Sequence, residues 1–163
     1  MTKFFLGIAI IAFTTFCGYV LSKKYRKRKL FFTQLHHFNE RFLGELSYYR
    51  RPVGDFISKH AYKGDFNDFL SYYFENIENP SFFEENIDKT NFSFFTKDEK
   101  RFLCDYFPML GKGNSATQKA YFSTAKSQLE TLKKTAETDA KKYGDLYVKL
   151  GFLCGLFILI III

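Results

Sequence analysis

Residues 115–163 read SATQKAYFSTAKSQLETLKKTAETDAKKYGDLYVKLGFLCGLFILIIII, and this stretch decides the fold class. Phe122, Ala125, Leu129, Leu132, Ala136, Ala140, Tyr143 and Leu146 recur at three-to-four spacing, which predicts one amphipathic helix. From Leu150 onward the segment is apolar on every side, a pattern no globular surface can hide. As a helix it reaches roughly 21 Å, short of the roughly 30 Å of a bilayer core. Snorkelling of Lys149 would bring Tyr147 and Val148 into the buried stretch. We therefore expect a helix from the 114–115 region to the end of the chain, with Gly144 as its bend point and residues 150–163 as a C-terminal transmembrane segment.

The other end of the chain mirrors this one. Phe4 to Leu21 contains no charged residue, and KKYRKRK follows at 23–29. Residues 1–22 are expected to be an N-terminal transmembrane anchor, and 23–29 a basic juxtamembrane collar of Lys23, Lys24, Arg26, Lys27, Arg28 and Lys29. A secretory signal peptide would carry its cations before the apolar run and a small-residue cleavage site after it; neither holds here. Basic flanks stay cytoplasmic, so the expected topology is a hairpin of two spans, with both ends outside and residues 30–149 in the cytoplasm. The membrane-surface cations then include Lys149.

Between the spans, helix signals recur without useful β alternation. Phe31, Leu35, Phe38, Phe42, Leu46 and Tyr49 form one stripe; Phe66, Phe69, Leu70, Tyr73 and Ile77 form another. Pro52 suits a helix start, followed by Val53, Phe56 and Ile57. Ser81-x-x-Glu84 and Thr96-x-x-Glu99 read as capping boxes, and Ser115-x-x-Gln118 as a third, with Asn114 or Ser115 as the cap. Gly111 to Asn114 is the clearest loop. The fold class expected is all-α: an antiparallel bundle of about six helices between two transmembrane helices.

Composition narrows the function. Of 163 residues 22 are Phe and 11 Tyr, which excludes a disordered chain. Three widely spaced Cys exclude a disulfide scaffold; Cys17, Cys104 and Cys154 read as small buried groups. The net charge of +7 lies wholly in Lys3 and the collar, and residues 30–149 balance. A nucleic-acid-binding domain would spread that excess over a face of the fold, so nucleic acid is not an expected partner. Gly111-Lys112 is no phosphate loop, because Gly113 stands where the metal-holding hydroxyl belongs. His36 and His37 are adjacent and diverge by about 100° on a helix, so no metal site is expected, even though His36 and Glu40 share a face. No catalytic or cofactor-binding group emerges, and the expectation is a non-enzymatic protein.

Three clusters carry a resemblance over nearly the whole chain. Leu43, Glu45, Leu46, Tyr48 and Pro52 are similar to L-x-E-I-x-Y-x-x-x-P. Leu110-Gly111 with Gln118 is similar to L-G-x-S-D-x-x-x-Q, with Asn114 at the Asp position. Leu150 to Leu153 before Gly155 is similar to L-G-F-L-x-G. In this order and spacing they resemble stage III sporulation protein AB of endospore-forming bacteria. Arg51 departs from the usual Thr, and no Trp is present.

The resemblance implies a domain like the F-type cytoplasmic domain of type II secretion and type IV pilus platforms. It further implies a place in a channel complex in the mother-cell membrane around the forespore, with a stage III sporulation protein AA-like ATPase and other membrane proteins of the same complex as partners. Glu45, Tyr48 and Pro52 become partner-contact candidates by the family motif, weighed against ordinary local packing. Residues 65–105 carry a net charge of −6, so Glu75, Glu78, Glu84 and Glu85 are candidates for an acidic docking face. The alternatives are a membrane-tethered adaptor that binds anionic lipid or nucleic acid through its collar, and a membrane enzyme with dispersed groups.

Overall fold

A computed structural model describes residues 2–48, 62–76, 85, 87 and 92–162. Among these are four α-helices and no strand: α1 (Thr2–Tyr48), α2 (Asp65–Glu75), α3 (Lys97–Tyr106) and α4 (Ser115–Ile162). A 3-10 turn, Phe107–Met109, follows α3. The all-α expectation holds. The expected helix starts at Pro52 and Ser81, with Val53, Phe56, Ile57 and Ile77, lie outside the described residues. The apolar N-terminal run, the basic stretch and the first stripe as far as Leu46 form one helix, α1, and Tyr49 lies outside the described residues.

Local chemistry sets the ends of these helices. Thr96 caps α3: its hydroxyl accepts from the Glu99 N–H at 3.3 Å, and Glu99 Oε2 accepts from the Thr96 N–H at 2.8 Å. This is the reciprocal box read from the sequence. At α4 the cap is Asn114, whose Oδ1 accepts from the Thr117 N–H at 2.8 Å and the Thr117 hydroxyl at 3.0 Å. Gln118 instead donates to the Gly113 carbonyl at 3.5 Å, so the box expected from Ser115 gives way to an Asn cap. Gly111 and Gly113 both sit at φ 79°, which L side chains rarely adopt, and they turn the chain between α3 and α4.

The chain divides into two compact units, Leu30–Lys134 and a second made of Met1–Lys29 with Thr135–Ile163. Residues 135–149, grouped by the sequence reading with the central domain, belong to the terminal unit. α1 and α4 contribute to both.

In Leu30–Lys134 the predicted stripes are the core. Phe31, Leu35, Phe38 and Phe42 of α1, Phe66, Phe69, Leu70 and Tyr73 of α2, Leu103 and Tyr106 of α3, and Phe122 and Leu129 of α4 are all buried. The Phe31 ring meets those of Phe66, Phe69 and Phe95 edge-on at 5.2, 5.2 and 4.6 Å, the arrangement the ring quadrupole favours. The abundance of phenylalanine is used here, in the interior.

Candidate functional surfaces

Met1–Lys29 and Thr135–Ile163 form an antiparallel helix pair whose contacts are small. A Cβ added to Gly151 would lie 2.5 Å from the Thr14 carbonyl oxygen, and one on Gly155 would lie 2.8 Å from Ile11 Cα. One on Gly18 would run into the Tyr147 carbonyl, and one on Gly7 into the Leu159 side chain. Close backbone approach of this kind is open only to small residues.

The large apolar side chains of the pair point the other way. Phe13, Phe16, Phe152, Phe157, Ile160 and Ile161 are exposed, Ile160 at 74%. Cys17 and Cys154, expected as buried groups, are exposed on this same unit, while Cys104 is half-buried in α3. Among the described residues one helix, α4, is long and apolar enough to cross a membrane, and only 11% of its apolar window is buried within the protein.

The pair ends in a polar layer. Tyr25 stacks with Tyr143 and Tyr147, ring centroids 5.2 and 5.9 Å apart. Arg26 lies over the Tyr19 ring at 5.4 Å, and Lys24 over that of Tyr25 at 5.0 Å. Of the collar, Lys23, Lys24, Arg26 and Lys29 are exposed and Lys27 is half-buried; Lys149 is exposed too. Arg28 departs from its expected place on the surface. It is buried and donates to Asp139 Oδ2 at 2.6 Å, an ion pair across the two helices that a run of like charges gave no sign of.

The central unit hides a polar chain that the stripe reading passed over. Tyr106 Oη donates to Asn39 Oδ1 at 2.9 Å, and Asn39 Nδ2 donates to the Phe122 carbonyl at 3.1 Å. Both side chains are fully buried, and they tie α3, α1 and α4 together. Burial pushes the Tyr106 hydroxyl well above its ordinary value. Tyr73, donating to the Phe107 carbonyl at 2.8 Å, is pushed up to about 12 by the same cause.

The docking candidates fall on scattered elements. Glu45 is half-buried on α1, and Tyr48 is the last residue of that helix. Glu75, at the end of α2, and Glu85 are exposed, as is Asp68, while Asp65 is half-buried. Pro52, Glu78 and Glu84 lie outside the described residues.

The two adjacent histidines share one carboxylate neighbour. Their rings diverge at Cβ, but Glu40 reaches back to both. His36 Nδ1 and His37 Nδ1 lie 3.6 and 3.8 Å from Glu40 Oε2. The three potential ligand atoms lie within 4.8 Å of one another. Lys126 holds the other carboxylate oxygen at 3.1 Å, and this hydrogen bond is the main cause that keeps Glu40 below the usual carboxylate range. Burial holds His36 below its ordinary value, partly opposed by Glu40.

The sequence model of the stage III sporulation protein AB family matches residues 3–163, and the chain belongs to that family. Neither a curated protein nor a solved structure matches it. Membership gives the chain a role in stage III of sporulation.

Proposed function

We propose that this member of the family is a non-enzymatic membrane platform of a secretion-like channel complex. Its terminal unit would be a two-span helical hairpin in the membrane around the forespore, and its central unit a cytoplasmic docking domain. The observation that carries this reading is the inverted packing of the helix pair. Glycine and threonine face the partner helix, while Phe13, Phe16, Phe152 and Phe157 face outward. In water such a surface is unfavourable; in lipid it is the ordinary arrangement, because apolar side chains gain nothing by hiding from acyl chains. The tyrosine stack with its neighbouring cations suits the headgroup level, where aromatic rings and basic side chains concentrate.

The topology is tested by labelling single cysteines, in a chain with Cys17, Cys104 and Cys154 replaced by Ser, with a membrane-impermeant maleimide. In protoplasts of vegetative cells made to express the chain in the plasma membrane, positions 2 and 163 should react without permeabilisation, and position 112 only after it. Labelling of position 163 only after permeabilisation would refute the hairpin.

Coupling to a stage III sporulation protein AA-like ATPase is the partner reading, with the acidic stretch of residues 65–105 as the docking face. Exposed Glu75 and Glu85 support it, since exposed charge steers association. Reversing Glu75, Glu78, Glu84 and Glu85 to Lys should slow association with the ATPase and weaken its salt dependence, with melting nearly unchanged. Association indifferent to both salt and the reversal would remove this face. A second role accompanies the first: the exposed Lys23, Lys24, Arg26 and Lys29 suit contact with anionic headgroups, at about 1 kcal/mol each near the surface.

A further inference from the structure

We propose that His36, His37 and Glu40 form a binding site for a divalent transition metal of the zinc, cobalt and nickel class. The site is independent of the platform reading. All three side chains come from one turn and a half of α1, and their nitrogen and oxygen ligand atoms already lie within 4.8 Å of one another. Bonds of roughly 2.0–2.2 Å in a tetrahedral site put neighbouring ligand atoms roughly 3.3–3.5 Å apart. The two nitrogen-to-Oε2 distances of 3.6 and 3.8 Å are therefore within a few tenths of an ångström of what a bound ion needs. The ligand atoms as a set lie within 4.8 Å, so the two imidazoles must rotate toward each other to close on an ion.

A second observation points to a ligand. His36 is only 8% exposed, and its Nδ1 is buried without a hydrogen-bond partner. An unpaired buried polar atom is costly, and a metal ion would give this one a partner. His37 and Glu40 are exposed, so the outer side of the site is open to solvent for a fourth ligand. Two imidazoles and one carboxylate suit the zinc class rather than calcium or magnesium, which favour all-oxygen shells.

Charges from the facing helix oppose the ion and set its expected affinity. Lys126 bonds Glu40 Oε1, and Lys133 lies close enough to His36 to act on it electrostatically. The metal would take Oε2 and leave Oε1 to Lys126, which would hold the carboxylate in place as outer partners of metal ligands commonly do. Both ammonium groups oppose the ion by repulsion, so affinity should be modest, and it should rise when the Lys133 charge, which bonds no ligand, is removed.

The test uses the untagged full chain in nanodiscs titrated with Co2+, followed by displacement with Zn2+. The expected result is a visible ligand-field band that saturates at one equivalent and disappears on adding Zn2+. His37→Ala and Glu40→Gln should each weaken binding roughly 10–100-fold, the scale found even for residues that only orient ligands. Both positions are exposed, so helical content and melting should stay unchanged and serve as the folding control. Lys133→Gln, which removes a charge acting on His36 without touching Glu40, should tighten binding several-fold. No band at millimolar Co2+, or a band retained with unchanged affinity in either ligand variant, would overturn the site.

Discussion

Leu30–Lys134 packs phenylalanine inside and turns charge outward, whereas Met1–Lys29 with Thr135–Ile163 packs glycine and threonine inside and turns phenylalanine outward. The charge follows the same division. The terminal unit holds ten Lys and Arg against three Asp and Glu, hence the whole +7, while the central unit balances. On the proposed reading, the difference reflects the solvent of each unit. Water rewards the burial of large apolar rings, so a unit built in water hides them. Lipid gives no such reward, and helices there associate through close backbone contact, which only small residues permit.

The sharpest way to break this comparison is to cut side chains on both sides of it. In the central unit, Phe31→Ala or Phe69→Ala should cost about 3–5 kcal/mol, because each ring is fully buried among others. In the terminal unit, Phe152→Ala or Phe157→Ala should leave the melting of the nanodisc-embedded chain nearly unchanged. Thermal unfolding of the four variants checks both halves. Equal losses in the two units would mean that both face water.

The converse substitution enlarges a small residue. Gly151→Leu must displace the backbone of the facing helix at Thr14 and Thr15, and Gly155→Leu both the Thr14 side chain and the backbone at Ile11. Overpacking of this kind costs about 1–3 kcal/mol. The effect should appear as lost disulfide crosslinking between cysteines placed at 7 and 159, which meet across the pair.

A smaller effect sharpens the comparison within the central unit. Tyr106→Phe keeps the ring and removes the hydroxyl that donates to Asn39 Oδ1. Leaving that acceptor buried and unpaired should cost of order 1–2 kcal/mol in chemical denaturation, with the denaturant slope unchanged.

The smallest effect should be a gain. Gly144 is buried, yet a Cβ there would meet nothing within 4 Å, unlike Gly18 or Gly151. Gly144→Ala should therefore stabilise α4 by about 0.5–1 kcal/mol through helix propensity, read as a raised melting temperature. A loss instead would mean that Gly144 belongs with the contact glycines.

Periodicity made much of the central unit legible. Phe31, Leu35, Phe38 and Phe42, then Phe66, Phe69, Leu70 and Tyr73, were marked as core by spacing alone and are buried. The Thr96 to Glu99 box was equally plain, since both partners lie within one turn. Less legible was anything that depends on which helices meet. Arg28 sits in a run of cations, and only its neighbour Asp139, 111 positions away, distinguishes it from them. Asn39 follows Phe38 in an apolar stripe and reads as a solvated position until Tyr106 is brought to it. The shared neighbour of the histidine pair was hidden for a related reason. Adjacent residues diverge at Cβ, but side chains with two or three rotatable bonds can turn back toward a common point.

The Asn39 carboxamide has a consequence for folding fidelity. A core built from many rings of one kind is tolerant, and a helix turned or slid by a residue could find other phenylalanines to touch. The amide is not tolerant. Its oxygen requires a hydroxyl and its nitrogen a carbonyl, supplied by α3 and α4 from different directions. Any alternative seating of α1 that separates the amide from both leaves two polar groups stranded in hydrocarbon, a penalty of roughly 1–3 kcal/mol apiece. One uncharged side chain thus discriminates among near-equivalent packings, favouring a single register over misfolded competitors of similar compactness.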